Sequence, residues 1–400
     1  MKILMLVAFL DSMGFGIVIP VFLLYTMELG AGPELATAFF ALYPIAHVIA
    51  SPYLGMLSDR YGRKPVLALA LLGASAAYLL LGFTESLLLL AIARLLQGFM
   101  AGNLAVVQAY AADISSSEQR AKLMGKIGAA TGLGFVLGPS LGAWLAGSQF
   151  EQQNMHIVAV VAAALCFSAF LLVILVLPES LPQDKRQSKN SANLKLNPFR
   201  EVPKVMGQGL LMQLFVCALL FNLACAFSDI ILPLFAKDAQ LVDGPNQLSW
   251  LYLASGVALT VTQYSLIAPL TQKLGERGIY LLGTLLYSAS CAGMLIASML
   301  TNTWIAIVAL ALGGMGIALF FTGLQSLVSK QASSNKMGSV MGAFSSFSLM
   351  GRVAAPLMVG VIYAELGMYL PYAIAIVLLF GAGLLGLSAR APAPGAQTSS

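Results

Sequence analysis

The sequence predicts an all-α membrane protein with twelve transmembrane helices in two pseudo-symmetric six-helix bundles. Three observations lead there. Of 400 residues, 59% are hydrophobic and only 9% charged, against about 25% charged in an ordinary soluble domain. So apolar a chain cannot cover itself with polar surface in water, and its natural solvent is a bilayer. Twelve apolar stretches are each long enough to cross roughly 30 Å of hydrocarbon as a helix. The cations are distributed to one side of those stretches.

In chain order the stretches are 3–27, 36–57, 65–83, 87–112, 121–147, 156–177, 210–236, 248–271, 278–299, 303–329, 338–363 and 368–389. The first follows Lys2 at once with no small-residue cleavage pattern, so it reads as a spanning helix and not a signal peptide. Several contain Gly and Pro, which membrane helices tolerate. Between the sixth and seventh lies the one long hydrophilic connection, which divides the chain. The expected domains are an N-terminal six-helix bundle over 1–183, a cytoplasmic interdomain loop over 184–208, a C-terminal six-helix bundle over 209–390 and a disordered tail over 391–400.

If the N-terminus is cytoplasmic, 18 of the 21 Lys and Arg fall in inner loops, termini or helix ends. Only Lys237 lies outside, and Arg94 and Arg352 lie within the membrane. The positive-inside rule then puts both termini in the cytoplasm.

The halves repeat. Ile17-Val-Ile-Pro-Val-Phe22 resembles Ile230-Ile-Leu-Pro-Leu-Phe235 at an offset of 213 residues, where Gly62 also matches Gly275. Further along, Met124-Gly125, Gly134 and Pro139 match Met341-Gly342, Gly351 and Pro356 at an offset of 217. Two parallel halves around a midplane site are a transporter design.

Between helices two and three stands Gly55-Met-Leu-Ser-Asp59-Arg-Tyr-Gly62-Arg63-Lys-Pro65. With twelve helices and a long central loop, this motif resembles the major facilitator superfamily. Leu10-Asp11-Ser-Met-Gly14-Phe-Gly16-Ile-Val-Ile-Pro20 resembles the first helix of its drug/proton antiporters, tetracycline exporters in particular. Arg94-Leu-Leu-Gln97-Gly98 resembles their intramembrane arginine motif, and Gly132-Leu-Gly134-Phe-Val-Leu-Gly138-Pro139-Ser-Leu-Gly142 the helix-five motif of exporters. The helix-nine acid of the tetracycline exporters is missing from 278–299, which argues against tetracycline itself as the substrate.

The loop residues suggest a conformational latch. Gly55 is small enough for close helix contact, and Gly62 permits a tight turn. Asp59 could accept backbone N–H groups at a helix N-terminus; in the family that is helix eleven, starting here near Met337. The resemblance also implies a pair between Arg63 and Asp113. In helix five, Gly134, Gly138 and Gly142 share one face and Pro139 adds a kink. That face is expected to form a tight interface between the halves.

Charges inside a bilayer are costly and point to function. At about 1.5 Å per residue, Asp11 and Arg94 lie roughly 12 and 19 Å above the inner boundary, and Asp229 and Arg352 roughly 24 and 21 Å. Each half therefore offers one acid–base pair. Burial and a neighbouring arginine act oppositely on a carboxylate's proton affinity, so a change in either would switch proton binding at Asp11. His47, in the middle of helix two, is a candidate relay.

Helices one, four, seven and ten would line the substrate cavity with Met13, Phe15, Phe22, Asn103, Gln108, Asn222, Phe227, Phe320, Phe321 and Gln325. Aromatics mixed with neutral polar groups suit an amphipathic organic molecule. No nucleophile–base motif, phosphate loop or Cys/His metal spacing is present, so neither an enzyme nor a metal site is expected. The four cysteines all sit in apolar segments as small core residues. The reading is thus a secondary active transporter exporting amphipathic small molecules by alternating access. It would use a proton gradient and no cofactor. Its partners would be the small-molecule substrate, protons and the lipid bilayer, with no nucleic acid, and it would act as a monomer. Alternatives are export of an endogenous metabolite or siderophore, proton symport, and a transporter-like membrane receptor or scaffold.

Overall fold

The structure is a computed structural model that describes residues 1–115, 117–150, 153–182, 209–331 and 337–388. The connection 184–208 and the tail 391–400 lie outside the described residues. Among the described residues every regular element is helical. The first six are α1 (Lys2–Glu28), α2 (Pro33–Tyr61), α3 (Arg63–Phe83), α4 (Leu87–Asp113), α5 (Ser117–Leu145) and α6 (Met155–Leu175). After α7 (Gly209–Asp238) comes a helical run of 55 residues, Pro245–Met299.

Straight, that run would be roughly 80 Å long, far beyond a bilayer. Gly275 breaks it at φ 69°, ψ 173°, a conformation open to glycine for want of a Cβ. The run is therefore two crossings, α8 (245–274) and α9 (276–299). Thr303 Oγ1 donates to the Leu241 carbonyl at one end, and Glu276 pairs with Lys330 at the other, so α8 and α9 run in opposite directions. Three helices follow: α10 (Thr303–Gln331), α11 (Met337–Leu366) and α12 (Leu370–Ser388). Among the described residues twelve crossings result. Gly62 makes the corresponding turn between α2 and α3 at φ 104°, ψ 157°, so the internal repeat extends to the backbone.

The helices outrun the apolar stretches. α2 spans 29 residues because helical hydrogen bonding propagates through polar residues that hydropathy excludes. α4 is interrupted at Gly102, where a Cβ would sit 2.9 Å from Ser51 N in α2. α8 carries a π-helical turn, Thr262–Leu266.

The halves touch at one end and part at the other. Gly360 of α11 packs against Thr37 and Pro33 of α2. Asn246 N–H donates to the Gly147 carbonyl at 2.9 Å, and Lys237 Nζ lies 5.3 Å over the Phe150 ring. Deeper in, Val136 of α5 meets Gly256 of α8. Gly55 is eighteen residues, five full turns, beyond Thr37 and so on the same stripe of α2; a Cβ there would meet nothing within 4 Å. Gly132, Gly128 and Gly125 continue the Val136 stripe of α5 toward the same end, and they too face open space. That open end carries Arg60, Arg63, Lys64, Arg277 and Lys330 and is called the basic end below.

Candidate functional site

α1 and α5 hold the centre of the first half together. A Cβ at Gly138 would lie 2.8 Å from Gly16 Cα and 2.8 Å from the Met13 carbonyl, and one at Gly134 2.7 Å from the Phe9 carbonyl. Gly142 abuts the Ile17 backbone and Pro139 abuts Gly16. The glycine face expected between the halves thus packs within one half, against α1. The reason is angular: Val136 lies about 200° around the helix from Gly134, so the opposite face of α5 meets α8, and α8 supplies the small residue, Gly256.

This packing sets Asp11, Met13 and Phe15 at the middle of the bundle. Asp11 Oδ2 accepts from Asn103 Nδ2 at 3.2 Å, and the Cys166 thiol lies 3.9 Å from Oδ1. Asp11 makes no ion pair with Arg94. On antiparallel helices side chains lean in opposite directions, each toward its own N-terminus. Asp11 therefore leans to the basic end and Arg94 away from it. Arg94 ends 3.6 Å over the Phe22 ring and 5.1 Å from that of Phe40, a cation–π cradle. Fully buried, it donates to Gln97 Oε1 at 3.1 Å, while Nε and Nη2 have no partner within the protein.

Asp11 lies on a cavity of about 60 Å³ shared with Phe15, Tyr43, His47, Tyr78, Gln97, Thr131 and Phe135. Phe15 stacks on Tyr43 at 4.1 Å and meets Phe135 edge-on at 5.7 Å. The Tyr43 and His47 rings are 6.0 Å apart. Two buried polar atoms on the wall, Gln97 Nε2 and Thr131 Oγ1, have no partner within the protein. Such groups are costly unless a ligand or water meets them. Gln108 is exposed one turn past Leu104 on the cavity wall. Met13 packs at the core's edge.

The second half departs from expectation similarly. Arg352 Nε donates to Asn222 Oδ1 at 3.1 Å, and Asp229 Oδ1 accepts from the Tyr287 hydroxyl at 3.4 Å. Among the described residues Asp229 and Arg352 form no ion pair, because Arg352 meets α7 at Asn222, seven residues and about 10 Å along the helix from Asp229. Phe227 is buried in the core and lines neither this half's cavity nor that of Asp11. Phe320 stacks on Phe221 at 3.5 Å, with Phe321 edge-on to both. Gln325 is exposed one turn beyond Phe321.

At the basic end Arg63 gathers the loop. Its guanidinium lies 2.6 Å from Asp59 and 3.0 Å from Asp113, and Ser180 Oγ donates to Asp113 at 3.0 Å. Asp59 pairs with Arg63; residues 332–336, leading into helix eleven, lie outside the described residues. The helix N-terminus that receives a carboxylate is that of α3. Glu179 accepts from the Arg63 and Lys64 N–H groups at 2.9 and 3.2 Å, a charged cap. A lone acid just after the sixth apolar run, Pro178-Glu179, was the available signal. Cys166 and Tyr287 gave none, lying in uniformly apolar runs. In the second half the Arg63–Asp113 pair recurs with its charges exchanged: Glu276 and Lys330 stand at the repeat-related positions and are paired.

Comparison with known proteins follows this geometry. The profile of the Major Facilitator Superfamily matches residues 4–356 and, in a second placement, 214–400. The chain is 32% identical to a tetracycline resistance protein, class B, of Escherichia coli, over 90% of this chain and 88% of that one. It is 25% identical to multidrug resistance protein 2 of Bacillus subtilis (strain 168), covering 94% and 92%. The human organic anion transporter MFSD10 superposes with a TM-score of 0.67 at 22% identity, over 96% and 98%. The nucleoside transporter NupG superposes with a TM-score of 0.75 at 15% identity, over 97% of each chain. The fold, the repeat and the whole-length family match agree: this chain is a multi-pass membrane transporter, not an enzyme, and belongs to the Major Facilitator Superfamily.

Proposed function

We propose that this chain expels amphipathic small molecules in exchange for protons, with Asp11 as the proton-binding group. The observation that carries the reading is the Asp11 cavity. Its carboxylate has no basic partner, so a proton can come and go without breaking a salt bridge. Aromatic rings line the cavity beside the unpartnered Gln97 Nε2 and Thr131 Oγ1, a surface suited to a ligand with a flat apolar body and polar edges. At about 60 Å³ it takes only part of a drug-sized molecule, and the remainder would extend toward exposed Gln108. His47 lies on the same wall as Asp11 and would pass the proton. The relatives named for tetracycline and multidrug resistance support efflux of this kind.

Alternating access supplies the mechanism. The halves meet at Thr37–Gly360 and part toward Gly55. With the basic end cytoplasmic, as the positive-inside rule favours, this is the inward-open state of an inner-membrane protein with both termini inside. In the other state the basic ends close, Gly55 and Asp59 come against α11, and the Thr37–Gly360 contact opens. Proton entry at Asp11 from outside would drive release of substrate there. The protein would act as a monomer, since each half supplies its own acid and the cleft lies between them.

The test is purified protein in liposomes with an imposed pH gradient, screened against dyes, tetracyclines and metabolite extracts. Substrate-induced proton release is expected from the wild type and its loss from Asp11→Asn. Wild-type rates in Asp11→Asn would refute the assignment, and proton uptake together with substrate would indicate symport.

A further inference from the structure

The second half encloses a smaller cavity, of about 20 Å³, with room for one water-sized species. Asp229 and Ser228 of α7, Ser255 of α8, Tyr287 and Ser290 of α9 and Tyr372 of α12 line it. Six oxygen-bearing residues from four helices thus share the lining of a space fit for one water-sized species with Cys291, Met294, Leu310, Gly313 and Ile317. Ser228 Oγ and the Tyr287 hydroxyl are 2.8 Å apart, and that hydroxyl also donates to Asp229. The Tyr372 hydroxyl, on a residue 1% exposed, has no partner within the protein.

From this geometry we infer that Asp229, Ser228, Ser255, Ser290, Tyr287 and Tyr372 form a binding site for a single sodium ion. Carboxylate and hydroxyl oxygens are hard donors, as hard cations require. A hydroxyl can turn its proton away and offer lone pairs, which gives the orphaned Tyr372 oxygen a partner. One carboxylate balances a monovalent ion, whereas a divalent ion would leave a net charge within the membrane, and magnesium sheds its waters reluctantly. A lone water would fill the space but leave the Asp229 charge unpaired within the membrane, where such a charge is expensive. Arg352, the membrane-embedded cation of this half, is engaged with Asn222 and makes no direct ion pair with Asp229. The site shares no residue with the Asp11 cavity and does not depend on what that cavity transports.

The test measures melting of the full chain in detergent as sodium chloride replaces choline chloride at fixed ionic strength, together with direct binding of radioactive sodium. A saturable rise in melting temperature with sodium is expected, larger than with potassium, and near one sodium bound per chain. Asp229→Asn and Tyr372→Phe should each abolish it, whereas Asp11→Asn should keep it. Tyr372→Phe leaves the site testable if Asp229→Asn fails to fold. Equal melting in sodium, potassium and choline overturns the site, as does a sodium shift that survives both variants. A response to pH alone would show that the occupant is a proton, which also overturns it. Sodium binding without any drug transport would sink the proposed function and leave this site standing.

Discussion

Wedging the contact between the halves is the most direct way to test how this transporter moves. At Gly360 even one added carbon would clash with Thr37 Oγ1 and come 2.6 Å from the Pro33 carbonyl and 2.8 Å from Glu34 Cα. Ordinary contact begins at 3.4 Å, so Gly360→Val must push α2 and α11 apart by about 0.6 to 0.8 Å. Overpacking of that size costs about 1–3 kcal/mol, and only while this end is shut. It should therefore shift the equilibrium away from the described conformation by about 5- to 150-fold. Gly55→Val acts at the other end of the same stripe, where a side chain meets nothing, and should leave this conformation unharmed while obstructing its alternative. A thiol reports the difference. All four native cysteines are buried, so a cysteine placed at exposed Gly128, on the α5 stripe that faces the opening, can be labelled against a low background. Gly360→Val should slow that labelling, by at most the factor above, because labelling follows the fraction in the open state. Gly55→Val should preserve or raise it, and both should depress transport. Wild-type labelling in Gly360→Val would refute the two-ended rocking inferred from these contacts.

Other outcomes follow from the same geometry. Gly138→Ala must separate α1 from α5, where backbone atoms sit 2.8 Å from the new carbon; it should destabilise by about 1–3 kcal/mol in thermal melts. Gly125→Ala, in open space, should be neutral or stabilising by up to about 1 kcal/mol. Glu179→Ala removes the charged cap of α3 and should cost about 1 kcal/mol, read as a lower melting temperature with substrate affinity unchanged. Lys330→Gln should change stability by less than about 0.5 kcal/mol, because that ion pair is mostly exposed at the lysine. Asp113→Asn should cost more, since Arg63 beside it is largely buried; equal effects on melting would refute that distinction.

Much of the architecture was legible because it rests on properties that each segment carries alone. Twelve apolar runs, one-sided cations and an offset of 213 residues define crossings and halves before any contact forms. Gly62 and Gly275 could be matched from their neighbours, and both proved to turn the chain in the same backbone region. The site was legible in composition but not in pairing. Asp11, Arg94, Asp229 and Arg352 stood out as charges in apolar helices, and depth along the axis matched them two by two. Depth ignores rotation and lean: Asp11 met Asn103, Arg94 met Phe22, and Arg352 met Asn222. The helix-five glycines showed a close-packed face, yet nothing local stated that α1 would occupy it.

By itself, the sequence determined how many times this chain crosses the membrane, which end carries the cations, and which costly groups are buried. Hydrophobicity and charge act on each helix separately, so their consequences can be read one segment at a time. Only the tertiary structure decided what each buried group touches, which face of α5 meets the other half, and that the halves close at Gly360 and part at Gly55. Those facts depend on the rotation of each helix about its axis and its tilt against its neighbours. Both are set by many weak contacts among side chains far apart in the chain.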